Sequence, residues 1–299
     1  MTQFSRVPLY ALLSLACAGA PALARDCGPD ALGVSRTVTI GPRGTAVGLQ
    51  SYPRTLDLQD HEVVLTFDDG PAGPTAKVLD ALAKECALAT FFVIGANAES
   101  APGLVKRAAD EGHSIGYHSY SHPEKTLRLM EDGAAKADIE RGIKAVDKAS
   151  GGKAAPFFRF PGFADTPSLV AYLESKGFTI FGSDLWASDW SPMSPKGELE
   201  LVMKRLEKEG KGIVLFHDSK AQTAAMLPDF LRELKARGYK LVHVVQGEGE
   251  TPVAAAGPGW TSTTEPIIAK TLGAKRAEPG HSHGDAGGED HAHPPATDQ

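Results

Sequence analysis

Val63-Val64-Leu65-Thr66-Phe67-Asp68-Asp69-Gly70-Pro71 is an apolar run, rich in β-branched and aromatic residues, that stops at two carboxylates and a Gly-Pro break. The run reads as a buried strand and the Gly-Pro pair as its end. On a regular strand neighbouring side chains point to opposite faces, so Asp68 and Asp69 can aim into one site only where the strand has ended. Asp-Asp-Gly-Pro is also a good turn sequence, in which both carboxylates merely cap the segment. What else in the chain ends a strand decides between the two readings.

Working outward, six more short β-rich runs occur, at residues 89–94, 114–117, 157–160, 178–181, 212–216 and 240–244. Between them, residues 75–86, 102–111, 127–149, 167–176, 195–209 and 223–237 carry apolar side chains at helical spacing. Strands apolar on both faces that alternate with helices predict an α/β domain whose parallel sheet is closed, or partly closed, into a barrel. In such barrels the loops after the strands converge on one mouth. The polar residues of interest follow this rule. Asp68 and Asp69 end the first strand, His118 and His122 follow the third, Arg159 closes the fourth, Asp184 and Asp189 follow the fifth, and His217 follows the sixth.

The two histidines of His118-Ser119-Tyr120-Ser121-His122 are spaced to face the same way on a helical turn and to share one ion, with Pro123 allowing only a turn or so of helix. Two imidazoles and one carboxylate leave coordination positions open, which suits a catalytic metal and not a structural one. Asp69 is therefore expected to join His118 and His122 as a ligand. Asp68, the spare carboxylate, is expected to act as general base.

Thr66–Pro71 in that strand end, His118-Ser-Tyr-Ser-His122, Arg159-Phe-Pro161-Gly162, Asp184-Leu-Trp-Ala-Ser-Asp189-Trp190 and Leu215-Phe-His217 resemble, in order and spacing, the five motifs of the polysaccharide deacetylases of carbohydrate esterase family 4, the NodB-homology domain. The resemblance spans about residues 61–245. It implies a distorted (β/α)7 barrel and a metal-dependent hydrolase that removes N-acetyl groups from GlcNAc-containing poly- or oligosaccharides: peptidoglycan, chitooligosaccharide or exopolysaccharide. The implied cofactor is a divalent metal, Zn2+ first, with Co2+ or Ni2+ as alternatives. Carried over residue by residue, His217 would be the general acid, Asp189 would orient it, and Arg159 would hold Asp68 in place. Gly162 would offer a backbone N–H to the oxyanion, Leu215 would line the acetyl pocket, and Trp190 would wall the groove. The third motif departs from the family pattern, because Gly162 stands where an aromatic residue is usual, so that wall is missing or supplied by Phe163. Two alternatives remain: an O-acetyl esterase of the xylan type, and an inactive carbohydrate-binding domain, against which the filled catalytic positions argue.

The rest of the chain frames this domain. With 299 residues, 42% apolar, and a formal net charge of −6, it can bury a sizeable core and offers no basic surface for nucleic acid. Arg6, the apolar stretch 7–20 and Ala22-Leu23-Ala24 predict a signal peptide over residues 1–24, hence export to the periplasm or the medium. The rival reading is a lipoprotein anchored through Cys17, in which Ser14 stands where an aliphatic residue is usual. No later segment is apolar for about 20 residues, so stable membrane insertion after cleavage is not expected. Residues 25–60 read as an N-terminal extension carrying one strand, Arg36–Ile40. The catalytic domain is assigned to 61–246, and 247–299 to a disordered, low-complexity tail with His281, His283, His291 and His293. Once the signal is removed, Cys27 and Cys86 are the remaining thiols and are expected to pair in an oxidising compartment. The alternative for Cys86 is a small buried helix residue. No feature of the sequence points to a particular oligomeric state.

Overall fold

The computed structural model describes residues 28–123 and 126–277. The signal-peptide reading, Cys17, Cys27 and the four histidines of the tail lie outside the described residues.

In chain order the elements of the first half are β1 Arg36–Ile40, β2 Ala46–Val47, β3 Arg54–Leu56, β4 Glu62–Asp68, α1 Thr75–Lys84, β5 Thr90–Val93, α2 Gly95–Ser100, α3 Pro102–Asp110 and β6 Ser114–Tyr117. The second half contains α4 Asp132–Ser150, β7 Phe157–Phe158, α5 Pro167–Ser175, β8 Thr179–Phe181, β9 Leu185–Trp186, α6 Pro195–Glu209, β10 Gly212–His217, α7 Ala221–Ala236 and β11 Lys240–Gln246. Strand β12 Val253–Ala255 and helix α8 Thr264–Ala277 follow.

All seven residues of β4 are buried, as expected of a strand covered on both faces. It pairs in parallel with β10 along its length, with β5 over its last three residues, and with β11 at Glu62 and Val63. From β5 the parallel ladder continues through β6 and β7 to β8. After β8 the chain bends for three residues, and β9 then pairs with β10. That step returns the chain to β4 through β10, but among the described residues no ladder joins β8 to β9, and this gap is the distortion of the expected seven-unit barrel. Helices pack outside it, and Phe67, Phe91, Phe216 and Phe230 stack between sheet and helices.

The helix ends follow local chemistry. Ser194 accepts a hydrogen bond from the Gly197 N–H ahead of Pro195, so α6 begins with a side-chain cap and a proline at its first position. It stops at Gly210 in the left-handed region, φ 75°.

Two expectations need correction. The extension contributes three strands, not one: β1 pairs with β11, β2 with β8, and β3 with β12. The tail is not disordered from residue 247, since β12 adds antiparallel to β3 and α8 packs Ile268 and Leu272 into an apolar cluster with Phe163, Trp186 and Leu215. The tail composition misleads because α8 docks through Ile268 and Leu272, one helical turn apart, and through the Arg128–Glu265 ion pair, neither of which makes an apolar run in the sequence. Among the described residues, no helix is long and apolar enough to cross a membrane.

Candidate active site

The carboxyl ends of β4, β6, β7, β9 and β10 bring the expected side chains together. Asp68 is the last residue of β4 and pairs in register with His217, the last of β10. Asp69 leaves the strand with φ 72°, in the left-handed region that Asp tolerates better than most residues. The pleat is broken there, so both carboxylates reach one site.

The histidines arrive differently from the expectation. Residues 118–122 form an irregular loop and not a helical turn, with Ser119 at φ 61° and His122 at φ 45°. Other elements hold the loop. Asp138 on α4 accepts from Tyr120 N at 2.9 Å and from Ser121 Oγ at 2.7 Å. The Ser119 and Tyr120 carbonyls accept from Gly95 and Ala96 of α2. Gly142 of α4 lies so close beneath that a Cβ added to it would sit 2.5 Å from the Ser119 carbonyl carbon. The rings of His118 and His122 end 5.0 Å apart.

His118 Nε2 and His122 Nε2 each lie 3.4 Å from Asp69 Oδ1, and the three residues offer donor atoms within 4.8 Å of one another, all buried. His118 donates from Nδ1 to the Arg159 carbonyl at 2.7 Å, which leaves Nε2 with its lone pair toward the group. That nitrogen is buried and makes no hydrogen bond among the described residues. Two imidazole nitrogens and a carboxylate oxygen at this spacing fit a divalent cation, with further coordination positions open.

Asp68 stands beside this set, its Oδ2 3.7 Å from His118 Nε2. Its other oxygen accepts from Arg159 Nη1 at 2.7 Å. Arg159 is fully buried, donates also to Thr66 Oγ1 and to the Phe181 and Gly182 carbonyls, and lies over the Phe92 ring at 4.3 Å. Burial pulls its pKa down, against the pull of the Asp68 carboxylate.

Across the site, His217 Nε2 is 3.8 Å from Asp69 Oδ2. Its Nδ1–H donates to Asp189 Oδ1 at 2.7 Å, and its backbone N–H donates to Asp189 Oδ2 at 2.6 Å. Burial alone would lower the pKa of His217, but the Asp189 charge, then that of Asp69, outweighs it and lifts the value to about 9. For Asp189 burial acts upward, and the His217 charge with its hydrogen bonds wins, holding the carboxyl below its usual range.

Leu215 and Phe163 are buried in the cluster that α8 covers, and the partly buried Trp190 packs on it with its ring edge-on to His217, centroids 5.9 Å apart. Gly162 occupies a tight turn with φ 59°. Asp184 is structural: its carboxylate accepts from Leu49 N, Ile213 N and Thr55 Oγ1. Asp218 bonds Thr75 Oγ1 at the start of α1. Cys86 lies beyond the end of α1, at φ 48°, and is disulfide-bonded, so the helix-residue reading is set aside.

In the sequence Thr66 enters only as part of the first motif, with no role of its own, and Asp138, Gly142, Glu198 and Thr223 are not singled out. For two of them a signal exists. Glu198 shares its helix face with Val202 and Leu206, and Thr223 shares its face with Leu227 and Phe230, so each is a polar residue on a core stripe.

Buried His and Asp donors that could hold a metal ion thus stand beside an ion-paired carboxylate and a His–Asp pair at the mouth of a parallel barrel. The family model for polysaccharide deacetylases matches residues 56–181. Over 189 residues the chain is 35% identical to a peptidoglycan-N-acetylglucosamine deacetylase of Bacillus cereus, covering 61% of this chain and 85% of that protein. Over 192 residues it is 35% identical to the peptidoglycan-N-acetylglucosamine deacetylase PgdA of Listeria monocytogenes, covering 63% of this chain but 39% of that longer protein. The solved Bdellovibrio bacteriovorus peptidoglycan deacetylase Bd3279 superposes with a TM-score of 0.63 and 33% identity, over 76% of this chain and 60% of that one. The chain belongs to the polysaccharide deacetylase family.

Proposed function

We propose that this protein is an exported, metal-dependent deacetylase that removes N-acetyl groups from a GlcNAc-containing glycan and releases acetate. The observation that carries the reading is the buried Asp69, His118 and His122 donor set lying between Asp68 and the His217–Asp189 pair. Asp69, His118 and His122 would hold the cation, with zinc favoured because a site of two imidazoles, one carboxylate and open positions suits it, and Co2+ or Ni2+ as substitutes. A cation bound there supplies Lewis acidity toward an amide carbonyl and toward water.

The remaining steps fall to the chain's own side chains. Asp68, oriented by Arg159, takes the proton of the attacking water. His217, whose Nδ1–H is committed to Asp189, gives the proton on Nε2 to the departing amine. A general acid this well supported favours an amide substrate, since an amine leaves poorly without a proton. Gly162 offers its N–H to the oxyanion, Leu215 borders the acetyl methyl, and Trp190 flanks the sugar. The relatives named above act on peptidoglycan, which makes it the first substrate class to test, ahead of chitooligosaccharide and exopolysaccharide. The disulfide at Cys86 supports an oxidising compartment and hence cleavage of the 1–24 signal, with Cys27 as the proposed partner.

Acetate release by the mature protein, loaded with Zn2+ or Co2+, from peptidoglycan, GlcNAc oligomers and acetylated xylan tests the reading. Turnover on the GlcNAc-containing substrates is expected. Turnover on xylan alone would replace it with an O-acetyl esterase, and none on any would favour a binding domain.

A further inference from the structure

Behind the His217–Asp189 pair lies another buried acid. Glu198, in the first turn of α6, is fully buried, and its Oε1 lies 2.9 Å from Thr223 Oγ1 on α7. The same Thr223 oxygen lies 2.8 Å from Asp189 Oδ2. A threonine hydroxyl has one proton to donate, so two ionised carboxylates cannot both be satisfied by it. One of the two acids must hold a proton of its own.

Asp189 is not that acid. It accepts from the His217 ring N–H at 2.7 Å and from the His217 backbone N–H at 2.6 Å, an array that favours the charged carboxylate. Glu198 has no such array. Its Oε2 is buried without a hydrogen-bond partner among the described residues, a costly place for a charged oxygen and a tolerable one for the carbonyl of a neutral acid.

We infer that Glu198 is a protonated carboxylic acid that donates to Thr223, turns the Thr223 hydroxyl onto Asp189, and thereby acts as a positioning residue for His217. The charged groups that face it are Asp189, in the loop after β9, and His217, at the end of β10. Burial first, and then the Asp189 charge, raises its pKa to about 8, in keeping with this assignment. The kinetic consequence rests on the deacetylase reading above, whereas the proton is a property of the fold and is measured separately.

The direct test is the infrared difference spectrum between the wild-type protein and Glu198→Gln. A protonated-carboxyl C=O band that the variant lacks is expected at neutral pH, fading as pH rises through about 8. Absence of that band overturns the inference, whether or not the enzyme turns over. Kinetics give an independent arm, because the amide N–H of Gln can donate to Thr223 as the acid does and an alanine cannot. Glu198→Gln is expected to keep kcat within about threefold, while Glu198→Ala and Thr223→Val lose about tenfold in kcat with KM little changed, a loss of the size seen when an outer hydrogen-bond partner is removed. Equal impairment of the Gln and Ala variants would mean that Glu198 works as a carboxylate and would also overturn the inference.

Discussion

At the scale of single residues, the site depends on two adjacent aspartates with different partners. Asp68 is tied to Arg159 at 2.7 Å, while Asp69, turned out of the strand at φ 72°, faces both histidines. Asp68→Asn is expected to retain metal and to lose at least about 100-fold in kcat, the lower range for a missing general base. Loss of metal from that variant, read by atomic absorption, would mean that the two aspartates have exchanged roles. Gly142 matters for a different reason, the 2.5 Å that would separate an added Cβ from the Ser119 backbone. Gly142→Ala should push the histidine loop and weaken metal affinity by roughly 10-fold, as loss of support behind ligands does, without touching a ligand. Unchanged affinity in a chelator competition would show that the loop tolerates the shift.

At the scale of elements, the strands and helices expected from apolar spacing appear with bounds moved by a few residues, and α6 appears at residues 195–209 as read. Periodic burial is a local property of sequence, so it survives into the fold. The His118–His122 loop is the opposite case. Its spacing fits one helical turn, yet Asp138, Gly95 and Ala96 hold it in a conformation with two left-handed residues that no local pattern encodes. Strands β2, β3, β9 and β12, of two or three residues each, are too short to show a period. The convergence of the candidate site residues was legible because the motifs are polar residues at strand ends. Glu198 and Thr223 were passed over because their helices read as packing.

Strand β11 carries its own pH test. His243, beside Ser114 Oγ at 3.1 Å, has its pKa lowered by burial from 6.5 to about 4. Between those values the unfolded chain binds the extra proton, so stability rises with pH across the window and is lost as pH falls from 6.5 toward 4. A shift of this size corresponds to roughly 3 kcal/mol. His243→Gln should flatten the dependence of unfolding free energy on pH relative to wild type, and an unchanged slope would assign the titration elsewhere.

At the scale of the whole molecule, α8 brings the C-terminal segment back over the barrel mouth. Arg128 grips Glu265 through two hydrogen bonds of 2.7 and 2.9 Å, and Ile268 and Leu272 cover Phe163, Trp186 and Leu215 next to Trp190. Ile268→Asp would place a charge in that cluster and should cost about 2 kcal/mol or more in urea unfolding, with a raised KM for glycan. A variant as stable as the wild type would show that α8 is not docked in solution. The central claim is that Asp69, His118 and His122 jointly grip one cation between Asp68 and His217. Anomalous diffraction from crystals of the zinc-loaded protein tests it most directly: one peak bounded by those three side chains is expected, and its loss in His118→Ala. A peak elsewhere, or no peak at that position in the loaded wild-type protein, would contradict the account.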